Sequence, residues 1–395
     1  TMKKISVFLL TCFVGVGSFG QVLKEEMKQL IDENLQFAVT QYKLMAKNTP
    51  PDVMPRSFDA AKNELITSNT RWWCSGFYPG TLWQLYGATK DEEIRVEAEK
   101  RLQLQEPMKH YTGNHDLGFM IFCPFGTAYE ITKNPAYKEV IITAAETLTK
   151  RYRPSIKSIQ SWDSSSNFRC PVIIDNMMNL ELLEWAAQNG GDRKYHEIAV
   201  NHSNSTIKNH FRADYSSYHV IDYDLATGTV SRKMTHQGYA DESAWARGQS
   251  WGLYGFVMMY RFTKDKAYLT QAQKIAKFLL NHPNLPADKV PYWDYNAPDI
   301  PNARRDVSAG SIMASALLEL GQYTRGKERD EYVNTAATIL KSLTSSYRSP
   351  AGGNGGFILA HSVGHLVANS EVDVPLTYAD YYFVEALLRY KKWYL

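Results

Sequence analysis

Cysteine is scarce: four residues in 395, at positions 12, 74, 123 and 170, with no CxxC spacing. That excludes a disulfide framework and a cysteine-based zinc site, and leaves the three later cysteines as small buried hydrophobes. Charge of one sign is lacking too, with 44 Lys and Arg against 41 Asp and Glu. Long nucleic acids and acidic membrane surfaces reward a basic excess, so neither is expected as a partner; a short anionic ligand met by one or two placed cations is still allowed. No low-complexity linker divides the chain. A single long apolar run stands out, 5–16, and it is shorter than the roughly 20 residues a membrane span needs. Between Met2-Lys3-Lys4 and Gly17-Ser18-Phe19-Gly20 it reads as the core of a secretory signal peptide over 1–20, which predicts export to the periplasm and a mature chain from 21 to 395.

Aromatic residues are abundant: 9 Trp and 25 Tyr in a chain that is 13% aromatic, more than a core of this size requires. Period-3.6 patterns recur from end to end and predict an all-α protein with helices near 23–47, 77–88, 91–106, 116–132, 135–151, 173–189, 192–211, 243–263, 265–281, 306–324, 327–346 and 376–393. Strand-like patches are few, 218–223 and 228–232. Five connections are short and alike, around Thr89-Lys90-Asp91, Thr132-Lys133-Asn134, Asn189-Gly190-Gly191, Thr263-Lys264-Asp265 and Thr324-Arg325-Gly326. The others are long: 48–76, 107–115, 152–172, 212–242, 282–305 and 347–375. Alternating short and long connections place every long loop at one end of a stack of helical hairpins. Six hairpins close into one ring, an (α/α)6 barrel, and the whole mature length is then a single catalytic domain. An open solenoid is the alternative.

The long-loop end collects Trp72, Trp73, His115, Asp116, Trp162, Asp163, Asp175, His219, His236, Gln237, Trp245, Arg247, Trp251, Trp293, Asp294, Arg304, Arg305, Asp306, His361, His365 and Asp373. Rings that pack on sugar faces and polar groups that fix hydroxyls suit a saccharide site. Two carboxylates stand out. Asp116 opens one apolar helix, and Asp175, in Ile173-Ile174-Asp175-Asn176-Met177-Met178, is an acid among apolar residues at the start of another. Burial would keep such an acid protonated for proton donation, while a helix N-terminus opposes this; each is also a residue type favoured as a simple cap. Arg247 is open between a surface ion pair with Glu242 and a two-pronged grip on a carboxylate. Gly248-Gln249-Ser250-Trp251-Gly252 matches GxSxG, but its surroundings read as a helix start without the strand of a nucleophile elbow. His361 and His365 stand four apart in a glycine-rich loop, which does not suit a helical metal pair.

The segments Trp73-Cys74-Ser75-Gly76-Phe77-Tyr78-Pro79-Gly80, Asn114-His115-Asp116-Leu117-Gly118-Phe119, Ile174-Asp175-Asn176-Met177-Met178-Asn179, His236-Gln237-Gly238-Tyr239, Ser243-Ala244-Trp245-Ala246-Arg247-Gly248-Gln249-Ser250-Trp251-Gly252, Glu371-Val372-Asp373 and Tyr378-Ala379-Asp380-Tyr381-Tyr382 resemble, in order, glycoside hydrolase family 88, the unsaturated glucuronyl hydrolases. The resemblance implies an (α/α)6 barrel and a hydrolase that removes a 4,5-unsaturated uronic acid from the non-reducing end of lyase-generated oligosaccharides. It implies hydration of the C4=C5 bond, with Asp175 as general acid and water activator and Asp116 holding ring hydroxyls. His115, Gln237 and Arg247 would contact the uronate or its hydroxyls, His219 would lie near the water, and Trp73, Trp162 and Trp251 would pack around the sugar. No metal or organic cofactor is called for. The family's sulfate-tolerant loop is rich in Ser and Lys; here it reads His361-Ser362-Val363-Gly364-His365-Leu366, without lysine, and Ser362 and His365 are its candidate contacts to a glycosaminoglycan unit. The related unsaturated rhamnogalacturonyl hydrolases and a non-catalytic periplasmic sugar-binding protein are the rival readings. No apolar stripe is left over to mark an oligomer interface.

Overall fold

The computed structural model describes residues 16–395; most of the predicted leader, 1–15, lies outside the described residues. α1 (Val16–Asn48) leads into a hairpin of β1 (Met54–Asp59) and β2 (Glu64–Ser68), then α2 (Phe77–Thr89) and α3 (Glu92–Gln105). A π-helix, Gly118–Gly126, runs into α4 (Thr127–Thr132), followed by α5 (Pro135–Thr149). β3 (Tyr152–Arg153), β4 (Ser158–Ile159) and β5 (Pro171–Ile173) precede a 3-10 helix, Ile174–Asn179, that continues as α6 (Leu180–Gln188), and α7 (Lys194–His210) follows. After β6 (Val220–Asp224) and β7 (Thr229–Met234) come α8 (Ala246–Thr263), α9 (Lys266–Asn281), α10 (Val307–Gln322) and α11 (Gly326–Ser346). β8 (Ser362–His365), β9 (Ser370–Val374) and α12 (Thr377–Tyr394) complete the chain.

The ring closes. Its inner wall is α2, the π-helix, the 3-10 helix with α6, α8, α10 and α12, each packed on the next, with α12 returning to α2. Burial separates the two walls: α10 is buried on every side from Val307 to Gly321, whereas α11 buries only the stripe Tyr332, Thr335, Ala336, Ile339, Leu340 and Leu343. An all-round apolar helix belongs inside and a striped one outside. Every predicted helix is present, although 116–132 contains the π-helix and 173–189 begins as a 3-10 turn.

Three of the short connections share one local code. In Tyr86-Gly87-Ala88-Thr89-Lys90-Asp91, Tyr129-Glu130-Ile131-Thr132-Lys133-Asn134 and Tyr260-Arg261-Phe262-Thr263-Lys264-Asp265, the lysine turns left-handed at φ 58, 55 and 58°. Its amide bonds the tyrosine carbonyl four residues back, at 2.9, 2.8 and 2.9 Å, and its ammonium lies over that same tyrosine ring. The Asp or Asn that follows then caps the next helix. The motif ends one helix and starts the next within three residues.

The long loops hold what the helical pattern omits: the β1–β2 and β8–β9 hairpins and a three-stranded sheet ordered β5–β6–β7. They surround the N-terminal ends of all six inner elements.

Candidate functional site

The β5–β6 pairing sets Asp175 beside His219. Ile173 stands opposite Val220, and the next amide, Ile174 N–H, donates to the His219 carbonyl at 3.0 Å. His219 Nδ1 accepts the backbone amides of His236 (3.0 Å) and Gln237 (3.2 Å). Its single proton therefore sits on Nε2, which faces Asp175 Oδ1 at 3.6 Å, too far for a hydrogen bond. Neither of these two buried atoms has a hydrogen-bond partner among the described residues. The spacing suits a small oxygen or substrate atom between them.

Burial pushes the Asp175 carboxyl upward, but the His219 N–H and the charge of Arg247 outweigh it and hold the group below its ordinary value. Sequence reasoning set burial, which would keep Asp175 protonated, against an opposing helix N-terminus; in the unliganded protein the balance falls on the carboxylate side. Asp116 is reached through an Asx turn, with its amide bonded to Asn114 Oδ1 at 2.8 Å, and through His115, whose amide donates to Ser161 O at 3.0 Å. His115 Nε2 lies 3.2 Å from Asp116 Oδ1. Phe119 N–H donates to Asn179 Oδ1, which joins the two helix starts that carry Asp116 and Asp175. Neither aspartate carboxylate caps its helix.

Arg247 is buried, not paired with Glu242, and its guanidinium lies between the rings of Trp245 and Tyr378. Its two terminal nitrogens donate to the carbonyls of Val363 (2.6 Å) and Gly364 (2.8 Å), and Asp306 lies 3.6 Å away. The guanidinium thus grips β8, while its buried Nε has no partner among the described residues. Gln237 Nε2 donates to the same Gly364 carbonyl at 3.2 Å, so Arg247 and Gln237 together hold the β8–β9 hairpin over the site. Ser362, the first residue of β8, is fully buried, and its hydroxyl has no partner among the described residues. His365 Nε2 is 2.9 Å from the His236 carbonyl at the rim.

Trp73 forms one wall, its ring 4.9 Å from Tyr378 and 5.6 Å from Phe119. Trp162 sits in a cluster with Phe168 and His236, and those two residues line a cleft of about 620 Å³ with Arg169 and Arg232. Trp251 differs from expectation. It has no exposed surface and packs between Phe119 (5.0 Å) and Tyr382 (5.5 Å), so it supports the floor from below and offers no free face to a sugar. Ser250 of the GxSxG match is buried within α8 and donates to the Ala309 carbonyl.

The sequence profile of Glycosyl Hydrolase Family 88 matches residues 45–285. The chain belongs to that family. An unsaturated glucuronyl hydrolase of Formosa agariphila is 46% identical over 338 residues, covering 85% of this chain and 84% of that protein. An unsaturated chondroitin disaccharide hydrolase of Streptococcus pneumoniae is 33% identical over 94% of this chain and 93% of its own length. The crystal structure of an unsaturated glucuronyl hydrolase specific for heparin superposes with a TM-score of 0.89 at 42% identity, covering 92% of this chain and 97% of that one.

Within this family 88 member, three residues gain a place that sequence reasoning left without a role. Asp306 caps α10, accepts the Val363 amide and stands beside Arg247. Tyr378 is buried beside the Arg247 guanidinium, and its hydroxyl has no partner among the described residues. Glu371 on β9 pairs with Arg56 of β1. Asp306 stood among the long-loop residues, and Tyr378 and Glu371 in matched segments; the pairing of Glu371 with Arg56 spans most of the chain and left no local signal.

Proposed function

We propose that this protein is an unsaturated glucuronyl hydrolase that releases a 4,5-unsaturated uronic acid from the non-reducing end of short glycosaminoglycan fragments. The observation that carries the reading is the buried Asp175–His219 pair at the mouth of a ring whose six inner elements all begin there. Helix N-termini favour an anion without requiring net positive charge, which reconciles a uronate substrate with the balanced composition. The chondroitin and heparin named for its relatives support the substrate class.

In the proposed reaction Asp175 protonates C4 of the enol ether, water adds at C5, and the resulting hemiketal opens to expel the adjoining sugar. A bound uronate carboxylate raises the pKa of Asp175 by like-charge repulsion and supplies the protonated form that the resting site lacks. His219, through its Nε2–H, orients the water oxygen whose proton returns to Asp175. Asp116 and His115 hold ring hydroxyls, and Trp73 packs on the sugar face. Export to the periplasm, on the strength of 1–20, belongs to the same proposal.

Incubation with unsaturated chondroitin and heparin disaccharides should remove the enol-ether ultraviolet absorbance. Asp175→Asn should lower kcat by at least about a hundredfold with binding largely kept. Absorbance that persists across the panel would leave the sugar-binding reading in its place.

A further inference from the structure

The Arg247 fork is engaged on β8, and a fragment that carries a uronate and a sulfate offers charge to a second cation as well. β1, on the hairpin that packs beside β9, supplies one. Arg56 Nε donates to Glu371 Oε1 at 2.6 Å, and its guanidinium lies 3.9 Å over the ring of Trp72, the residue before the wall residue Trp73. Its two terminal nitrogens make no hydrogen bond to any described residue, and its side chain is 25% exposed. Glu371 in turn packs against Gly364, where an added Cβ would meet its carboxylate at 2.5 Å, and Gly364 is the residue whose carbonyl Arg247 and Gln237 share. Arg56 is therefore one side chain removed from the Arg247 clamp. A guanidinium stacked on indole and tied at Nε keeps its outer fork open and pre-oriented, so little rotamer freedom remains to be lost when an oxyanion binds.

We infer that Arg56 is a specificity-determining residue that receives an oxyanion of the substrate, carboxylate or sulfate, on the fork left open by Glu371. The inference rests on the proposed glucuronyl hydrolase reading. Its test compares the unchanged protein with Arg56→Gln and Arg56→Lys on an unsaturated chondroitin disaccharide with and without sulfate. Arg56→Gln should raise KM at least about tenfold against a smaller change in kcat and flatten the dependence of KM on salt, and Arg56→Lys should recover part of the loss. An equal effect on both substrates assigns the carboxylate; an effect confined to the sulfated one assigns the sulfate. KM within twofold of the unchanged protein on both substrates, in variants that melt normally, overturns the inference while leaving the hydrolase reading intact. Failure of the unchanged protein to act on either substrate overturns that reading instead. To separate an anion contact from loss of the hairpin pair, Glu371→Gln keeps the Arg56 charge and should raise KM less than Arg56→Gln does; an equal or larger rise means that the hairpin pair, and not an anion contact, sets KM.

Discussion

With Nδ1 accepting two backbone amides, His219 carries a proton on Nε2 and presents a fixed N–H toward Asp175. That N–H opposes burial and holds the carboxyl down. His219→Asn is the informative variant, because an asparagine oxygen can replace Nδ1 as acceptor while no donor reaches Asp175. With burial left to dominate, the pKa of Asp175 rises, the protonated acid persists to higher pH, and the alkaline limb of kcat/KM should move to higher pH. A limb that stays in place would separate His219 from the acid. The apolar neighbours of Asp175 were visible in the sequence, but the direction of its shift was not. It depends on a histidine brought across by the β5–β6 register, and no spacing along the chain announces that pairing.

At the scale of elements, Pro124 has no amide to give and stands inside the π-helix, where the ordinary ladder to Met120 O is broken. Gly76 fits against the widened turn: a Cβ there would lie 2.1 Å from Phe119 O and 2.6 Å from Met120 O. Gly76→Ala should therefore cost roughly 1–3 kcal/mol and lower kcat as well, since the displaced turn carries Asp116. Calorimetry and initial rates check both, and an unchanged melting temperature would refute the fit. The helices themselves were legible because amphipathic periodicity, Asp and Asn caps and the Thr-Lys turns are all local signals. The two mouth hairpins were not. β1 is interrupted by an irregularity between Pro55 and Ser57, and His361, Asn369, Glu371 and Asp373 all take left-handed φ around β8 and β9. Those twists destroy the two-residue alternation by which a strand is recognised. The same hidden hairpins bring Arg56, Glu371 and the Arg247 contacts to the site, so the part of the site least visible in the sequence is the part built on irregular strands.

Across the whole molecule, the ring uses its two ends for opposite purposes. The long-loop end gathers helix N-termini, exposed edges of aromatic residues and unpartnered polar atoms. Toward the short-connection end, a closed ionic network joins four inner helices. Glu319 of α10 receives Arg261 Nε at 2.6 Å and NH2 at 2.8 Å from α8, Arg389 of α12 at 3.2 Å, and the Tyr323 hydroxyl at 3.0 Å. Glu181 of α6 also bonds Arg261, while Glu385 accepts the hydroxyls of Tyr254 and Ser315. Burial raises the Glu319 carboxyl, but the two guanidiniums bring it down to about 2. Glu319→Gln leaves both arginines buried with too little negative charge, and should cost about 3–5 kcal/mol at neutral pH. Because the folded pKa lies below the unfolded value, this stabilisation is complete above about pH 4.5 and is lost as pH falls toward 2. The gap between the variant and the unchanged protein, measured by denaturant unfolding, should accordingly be largest at pH 7 and narrow at pH 3.5. Equal penalties at the two pH values would mean that Glu319 acts through packing alone, and that the ring is held at this end by its apolar contacts rather than by charge.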